Sequence, residues 1–435
     1  MTQSAPARTP SVPRVDRRLF SIREKVEAGD RLSLEDGELL YTTTDIWSVC
    51  EMADVVRRRL HGALAYYNIN RHLNYSNICA LSCKFCDFYA KQGDEKAYTR
   101  DMEYVRDEVR KAVEAGATEI HSVGGLHPYM PFSYYTDLVS TIRETARELG
   151  SELHVKAFTA VEIVHLAKIA KVYKQADRQS GIRWVLEKLK EAGLGSLPGG
   201  GAEVFDDRVH DEAFKGKIRS DVWLDVHRIA HELGLNSNAT MLYGHIEERR
   251  ERLVHMDMLR RAQDVALSRL GYEGVQGEGS PAITLTRPGT APPSPRHLDA
   301  AGRGQRCGGY FQTIIPLPFF PDGCDLEHLP GPSGLENLRT LAVARLMLDN
   351  FPHVKAFWIM QTLSMAQLML QSGADDIDGT VVWYDITKVG GASTHQEVNV
   401  WALQQAIREA GFEPVERDTL YRRVRRDGRS WSVET

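Results

Sequence analysis

The sequence has no stretch approaching the roughly 18 consecutive apolar residues that a membrane span needs, so no transmembrane helix is expected. It has no block of about five or more basic residues, and its formal net charge is −5, which argues against a nucleic-acid or anionic-membrane surface. The short run Arg57-Arg58-Arg59 reads as a solvated helix face. The N-terminal stretch MTQSAPARTPSVPRVDRR lacks the apolar core of a secretory signal, and a cytoplasmic protein is expected. Cysteine is scarce, at 6 of 435 residues, and Cys50, Cys307 and Cys324 are scattered, so a disulfide framework is not expected. No Gly-Lys-Ser/Thr follows the Gly-rich stretch Ser196-Leu-Pro-Gly-Gly-Gly-Ala-Glu203, which excludes a phosphate-binding P-loop there.

Hydrophobic residues make up 42% of the chain and charged residues 26%, the profile of a globular protein with a sizeable core. Residues 1–18, rich in Pro, Ser, Thr and Arg, read as a disordered tail. Residues 19–62 read as an N-terminal helical extension, with helices at 21–29 and 44–60 on either side of an acidic stretch. Apolar runs at 66–73, 119–123, 153–158, 195–198, 237–243, 311–317, 354–359 and 377–383 read as strands. Between them lie segments of helical period, such as Tyr104, Val105, Val109, Ala112 and Val113 before Gly116. Eight strands alternating with helices imply an α/β fold over 63–390, a (β/α)8 TIM-like barrel. The interval 271–309 is dense in Gly and Pro and reads as a flexible surface insertion. Residues 391–435 read as a C-terminal helical extension, with an amphipathic helix at Glu397–Ala410 and an exposed Arg-rich end (Arg422, Arg423, Arg425, Arg426).

Three cysteines fall within one loop, Cys79-Ala-Leu-Ser-Cys83-Lys-Phe-Cys86, directly after the first expected strand. In a parallel barrel that loop opens on the C-terminal face, where active sites lie. Three thiolates can each bind one iron of a [4Fe-4S] cubane, whose full ligation by protein takes four, so one iron stays open. An open iron can chelate the amino and carboxylate groups of S-adenosylmethionine (SAM). The rival reading is a zinc site, but zinc usually shows a second Cys/His pair at short spacing, and here His72 or His127 would have to serve from elsewhere.

Other polar groups gather at expected strand ends. Ser122-Val-Gly-Gly-Leu-His-Pro128 is either a tight turn or a place where backbone approaches a ligand. Glu203 either hydrogen-bonds a ribose or ammonium group or caps the next helix. Strand alternation sends Asn238, Thr240 and Leu242 to one face, and His245 and Glu247 follow at the same rim. Lys156, in His154-Val-Lys-Ala-Phe-Thr159, must pair with an acid or bind an anionic ligand if buried.

The pattern C-x3-C-x-aromatic-C resembles the signature of the radical SAM superfamily. The resemblance implies that Phe85 packs near the adenine and that Gly124, Gly125 and Leu126 bind the amino group of SAM. The stretches NRHLNYSNICALSCKFCDFYA (70–90), SVGGLHPYMPFSYY (122–135), HVKAFTAVEI (154–163), GLGSLPGGGAEVFD (193–206), NATMLYGHIEE (238–248), GADDIDGTVV (373–382) and RDTLY (417–421) closely resemble the aminodeoxyfutalosine synthase family of menaquinone biosynthesis. That likeness implies addition of a 5′-deoxyadenosyl radical to 3-[(1-carboxyvinyl)oxy]benzoate, giving 6-amino-6-deoxyfutalosine, with SAM consumed as a substrate. It also implies a reductant such as flavodoxin or ferredoxin. Lys156, His127 and His245 are the candidates by position for binding the dicarboxylate, and His245, Glu247 and Lys156 for the chemistry. The sister dehypoxanthine futalosine cyclases share the cysteine motif and both Gly-rich loops, and a non-catalytic metal-binding barrel is the alternative of a different class. The insertion 271–309 and the extended tail depart from the family pattern.

Overall fold

The computed structural model describes residues 15–272, 283–285, 308–380 and 397–434. Most of the tail, almost all of the insertion 271–309, Cys307 and the end of the eighth expected strand lie outside the described residues.

The alternation of strands and helices folds into an α/β barrel. Its strands are β1 (Leu64–Asn68), β2 (Asn70–His72), β3 (Glu119–Ser122), β4 (His154–Ala157), β5 (Ser196–Leu197), β6 (Asn236–Tyr243), β7 (Phe311–Pro318), β8 (His353–Val354) and β9 (Asp376–Gly379). Strands β2 to β8 form one parallel sheet in sequence order. β9 completes the ring: it pairs in parallel with β1, which runs into β2 with only Ile69 between, and Asp376 bridges to Lys355 just past β8. All eight residues of β6 are buried, as expected of a strand with the barrel interior on one face and helices on the other. The helices carry the matching stripe. In Met102–Glu114, Val105, Val109 and Ala112 are buried, and the Asp101 side chain accepts from the Tyr104 N–H to start the helix.

The extensions differ in detail from the sequence reading. The acidic stretch between the first two expected helices is itself a helix, Leu34–Thr42, started by a capping box between Ser33 and Asp36. Arg57 is fully buried: its guanidinium donates to the carbonyls of Gly62, Leu64 and Ala374 and lies 3.7 Å over the Phe412 ring. Only Arg58 of that run is strongly exposed, paired with Asp54. The end of the expected strand 354–359 turns into a short helix, Trp358–Gln361. Beyond the helix Val400–Glu409 come three further strands, β10 (Glu413–Glu416), β11 (Val424–Asp427) and β12 (Ser430–Val433). β11 and β12 form a hairpin, while β10 lies parallel to β1 on its other edge. Arg426 is drawn in from the expected exposed end by Glu416, which accepts from its Nε at 2.8 and 2.9 Å.

Candidate active site

The cysteine loop leaves β2 and is fastened on three sides. Cys79 N–H donates to Ala90 O at 3.0 Å, Ala80 N–H to Leu126 O at 2.9 Å and Lys84 N–H to Ala213 O at 2.9 Å. The Gly124-Gly125 pair explains the second of these anchors. A Cβ on Gly124 would lie 2.6 Å from the Tyr75 ring, and one on Gly125 would lie 2.3 Å from Ile78 O. Gly125 N–H donates to Ser76 O at 2.8 Å. The backbone that the two glycines approach so closely is therefore the strand-like run 75–78 that delivers Cys79. Gly124 N–H donates to Glu162 Oε1 at 3.1 Å, and the same carboxylate accepts from Tyr75 Oη at 2.7 Å. Glu162 is also the capping-box partner of Thr159, at the start of the helix after β4. Burial raises its pKa against these four donors.

Cys79, Cys83 and Cys86 line a cavity of about 300 Å³ in the barrel mouth, together with Phe85, Gly124, Gly125 and Leu126. Glu203, Asn238 and Lys156 also line it, as do Thr240 and Leu242 from the same face of β6. Burial pushes the Cys83 thiol up to about 11, a tendency opposed by the Lys217 ammonium. Lys217 is ion-paired with Glu203, which settles the local partner of that carboxylate, and its Nζ stands 4.9 Å from the centre of the Phe85 ring. Glu203 adopts a left-handed backbone, φ 49°, as the Gly-rich loop turns. Asn238 makes no side-chain hydrogen bond among the described residues and belongs to the cavity wall. Lys156 is buried and paired with Glu119 at 2.7 Å.

The donor set separates the two metal readings. Two thiolates on one zinc lie about 3.8 Å apart, given zinc–sulfur bonds of about 2.3 Å. Among the described residues, the only group of three potential ligand atoms within 4.8 Å of one another is His61, His353 and Asp375, so the cysteines are spread more widely than a single ion requires. That spread suits a group in which each thiolate takes its own iron. The histidine group is committed elsewhere: Arg345 pairs with Asp375, and His61 Nε2 engages Pro352 O at 2.8 Å.

Three sequence candidates lie outside the cavity. His245 and Glu247 have fully buried side chains that do not line it. β6 ends at Tyr243, and Gly244, φ 91°, turns the chain away, so strand alternation no longer applies. The Glu247 carboxylate accepts from the Gly244 and His245 N–H groups at 2.6 and 2.9 Å and pairs with Arg252 at 2.7 Å. His245 Nε2 bonds Leu242 O at 3.2 Å. His127 also points elsewhere, its Nδ1 accepting from the Tyr129 N–H at 3.2 Å. Conversely, Glu162, Lys217, Lys355 and Asp378 line the cavity without having been singled out. The T-x-x-E pattern at 159–162 was a readable signal for Glu162. Lys217, Lys355 and Asp378 carried no local signal.

Residues 73–259 match the model of the radical SAM superfamily, and residues 308–428 match that of the CofH/MqnC C-terminal region. The chain is 41% identical to an aminodeoxyfutalosine synthase of Thermus thermophilus, over 94% of this chain and 97% of that protein. It is 38% identical to an aminodeoxyfutalosine synthase of Streptomyces coelicolor, over 93% of each. It is 31% identical to a 5-amino-6-(D-ribitylamino)uracil–L-tyrosine 4-hydroxyphenyl transferase of Methanopyrus kandleri, over 92% of this chain and 94% of that protein. Among solved structures, methylornithine synthase superposes with a TM-score of 0.63 at 15% identity, covering 90% of this chain and 97% of that one. That likeness carries the fold alone.

Proposed function

The chain belongs to the aminodeoxyfutalosine synthase family of the radical SAM superfamily, and from that premise we propose that it joins the adenosyl part of SAM to 3-[(1-carboxyvinyl)oxy]benzoate to form 6-amino-6-deoxyfutalosine. Cys79, Cys83 and Cys86 would hold a [4Fe-4S] cluster, whose role would be to bind SAM and pass it an electron. When bound, the cluster and SAM supply a 5′-deoxyadenosyl radical, for which a small reductant such as flavodoxin or ferredoxin provides the electron.

The chain's own residues bind and orient. Gly124, Gly125 and Leu126 present backbone groups beside the cysteine loop, in reach of SAM's amino group, while Phe85 offers a ring face to the adenine. Glu203, held by Lys217, offers its remaining acceptor capacity to ribose hydroxyls or the ammonium group. The amide of Asn238, free of protein partners, hydrogen-bonds substrate or SAM. Lys156 supplies a cationic donor to the dicarboxylate. His245 and Glu247 shape the turn after β6 and take no direct part. The reducing cytoplasm suits this chemistry, and the five described cysteines are all free thiols. No helix among the described residues is long and apolar enough to cross a membrane.

The observation that carries this reading is a three-cysteine loop opening on one cavity whose wall also carries the Gly-Gly backbone and a buried lysine pair. The test is anaerobic incubation of the reconstituted protein with SAM, dithionite and the enol-ether benzoate, with product masses recorded. Methionine release together with a substrate-dependent adenosyl adduct is expected. Free 5′-deoxyadenosine as the sole nucleoside product would overturn the addition reaction, and absence of SAM cleavage would overturn the enzyme reading.

A further inference from the structure

The segment Arg417–Tyr421 has no part in the reaction as described, yet it enters the barrel. Past β10, Arg417 N–H donates to Tyr67 O at 2.9 Å, and its side chain, 1% exposed, reaches between strands of the ring. Arg417 Nε donates to Asp376 Oδ2 at 2.6 Å, and its Nη2 lies 3.8 Å from Asp378 Oδ1. Two residues on, Thr419 Oγ1 donates to Glu119 Oε2 at 2.6 Å.

Two of these acids, Glu119 and Asp378, each hold a cavity lysine. The other oxygen of Glu119 pairs with Lys156 Nζ at 2.7 Å, and Asp378 Oδ1 pairs with Lys355 Nζ at 2.7 Å. A hydrogen-bonded relay therefore runs from Thr419 to Glu119 to Lys156, and a second, electrostatic path runs from Arg417, whose Nη2 makes no hydrogen bond, to Asp378 and on to Lys355. Asp378 is set for this by a left-handed backbone, φ 72°, and by its own N–H donating to Asp376 Oδ1 at 2.6 Å. An ammonium group has three N–H donors, and each lysine uses one on its acid, leaving donors beside the cavity. Beside Lys156 in register is His121, a residue of the same cavity wall, whose Nε2 is buried and has no hydrogen-bond partner.

These groups lie deeper than the cysteine loop. His121 is three residues before Gly124, roughly 10 Å along a strand at about 3.3 Å per residue. Two lysines buried there without counterions would be costly; the acid behind each offsets that cost and fixes the direction of the free donors. A carboxylate meeting them finds two cationic donors, the composition that makes burial of an anion tolerable.

We propose that Lys156 and Lys355 form a carboxylate receptor at the base of the cavity that takes the benzoate end of the substrate, with Arg417 and Thr419 as the positioning residues that aim it. This rests on the enol-ether benzoate reading, since it assigns the aromatic carboxylate to the base and leaves the enol-ether end toward the cysteine loop. It gives the C-terminal segment a specificity role beyond closing the barrel.

The test compares acid with amide in the reconstituted holoenzyme. KM and kcat are measured with 3-[(1-carboxyvinyl)oxy]benzoate and its benzamide analogue, and binding of 3-methoxybenzoate and 3-methoxybenzamide is measured by calorimetry. The charge-balanced variants Lys355→Met/Asp378→Asn and Lys156→Met/Glu119→Gln are checked for folding by thermal melting and for iron content. Each is expected to lower the acid-over-amide preference about 10- to 100-fold, through KM, as loss of a charge-assisted donor implies. Thr419→Val should lower it by about 3- to 10-fold, with recovery in Thr419→Ser, a pattern that general destabilisation would not produce. An unchanged preference in both folded, iron-loaded double variants overturns the proposal. Adduct formation equally from acid and amide by the unaltered enzyme overturns the receptor while leaving the reaction standing. Lysine-dependent binding of 3-methoxybenzoate without adduct formation supports the receptor and overturns the reaction.

Discussion

Adding a single methyl group at Gly125 should disarm the cysteine loop while leaving the barrel folded. The new Cβ would lie 2.3 Å from Ile78 O, 2.7 Å from Ile78 C and 3.0 Å from Asn77 C, all backbone atoms. Non-bonded heavy atoms settle at about 3.5 Å, so the two segments must part by about 1 Å. That movement stretches the 2.8 Å bond from Gly125 N–H to Ser76 O and strains the 2.9 Å bond from Ala80 N–H to Leu126 O, on either side of Cys79. Overpacking of this kind costs about 1–3 kcal/mol, and each weakened hydrogen bond about 1 more. The whole penalty of roughly 3–5 kcal/mol falls on the loop and not on the sheet, so local opening is the cheaper response. Iron and sulfide per chain after anaerobic reconstitution, read beside the thermal midpoint, should show cluster occupancy and turnover falling at least tenfold with a melting shift of only a few degrees. Gly200→Ala is the control on another cavity loop, where the added carbon meets only the Thr159 methyl, at 3.0 Å. Full iron loading and undiminished turnover in Gly125→Ala would refute the reasoning.

Cys83→Ala should abolish cluster formation, and retained iron with turnover would refute its assignment as a ligand. His255 is buried, accepting from Phe205 N–H at Nδ1 (3.2 Å) and engaging Thr240 O through Nε2 (3.1 Å), and burial holds its pKa down to about 3. The unfolded chain therefore takes up the proton first as pH falls below about 6.5, and this histidine costs about 1.4 kcal/mol of stability per pH unit from there toward pH 3. Denaturant unfolding of His255→Gln between pH 6.5 and 5 should show a slope shallower by about that amount, and an unchanged slope would contradict the assignment. Glu247→Gln removes one of the two carboxylate partners of buried Arg252, leaving Glu336, and weakens the cap on the turn after β6, so stability should fall by about 1–3 kcal/mol with kcat/KM in folded enzyme within threefold of the unaltered value. A large loss of kcat at undiminished stability would return Glu247 to the chemistry.

Much of this protein was readable before folding. The strand runs were legible because each strand in a barrel is buried on both faces, so apolar runs bounded by turn residues are enforced along its length. The meeting of the three cysteines at one cavity was legible because they lie on one loop, where spacing along the chain is close to spacing in space. His245 and Glu247, expected at the rim because they closely follow the strand, lie outside the cavity because Gly244, with its left-handed backbone, turns the chain away. β10 was invisible because Glu413-Pro-Val-Glu contains one buried apolar residue, and its strand character comes from β1, some 350 residues earlier in the chain. Separation along the chain, 37, 23 and 300 residues, likewise hid the pairings of Lys156 with Glu119, Lys355 with Asp378 and Thr419 with Glu119. Sequence by itself determined the periodic elements and the cysteine loop, because burial and local ligation act between near neighbours. Only the tertiary structure decided which charges share a wall of the cavity, because the partner of a buried charge is chosen by the closed ring of strands and not by proximity along the chain.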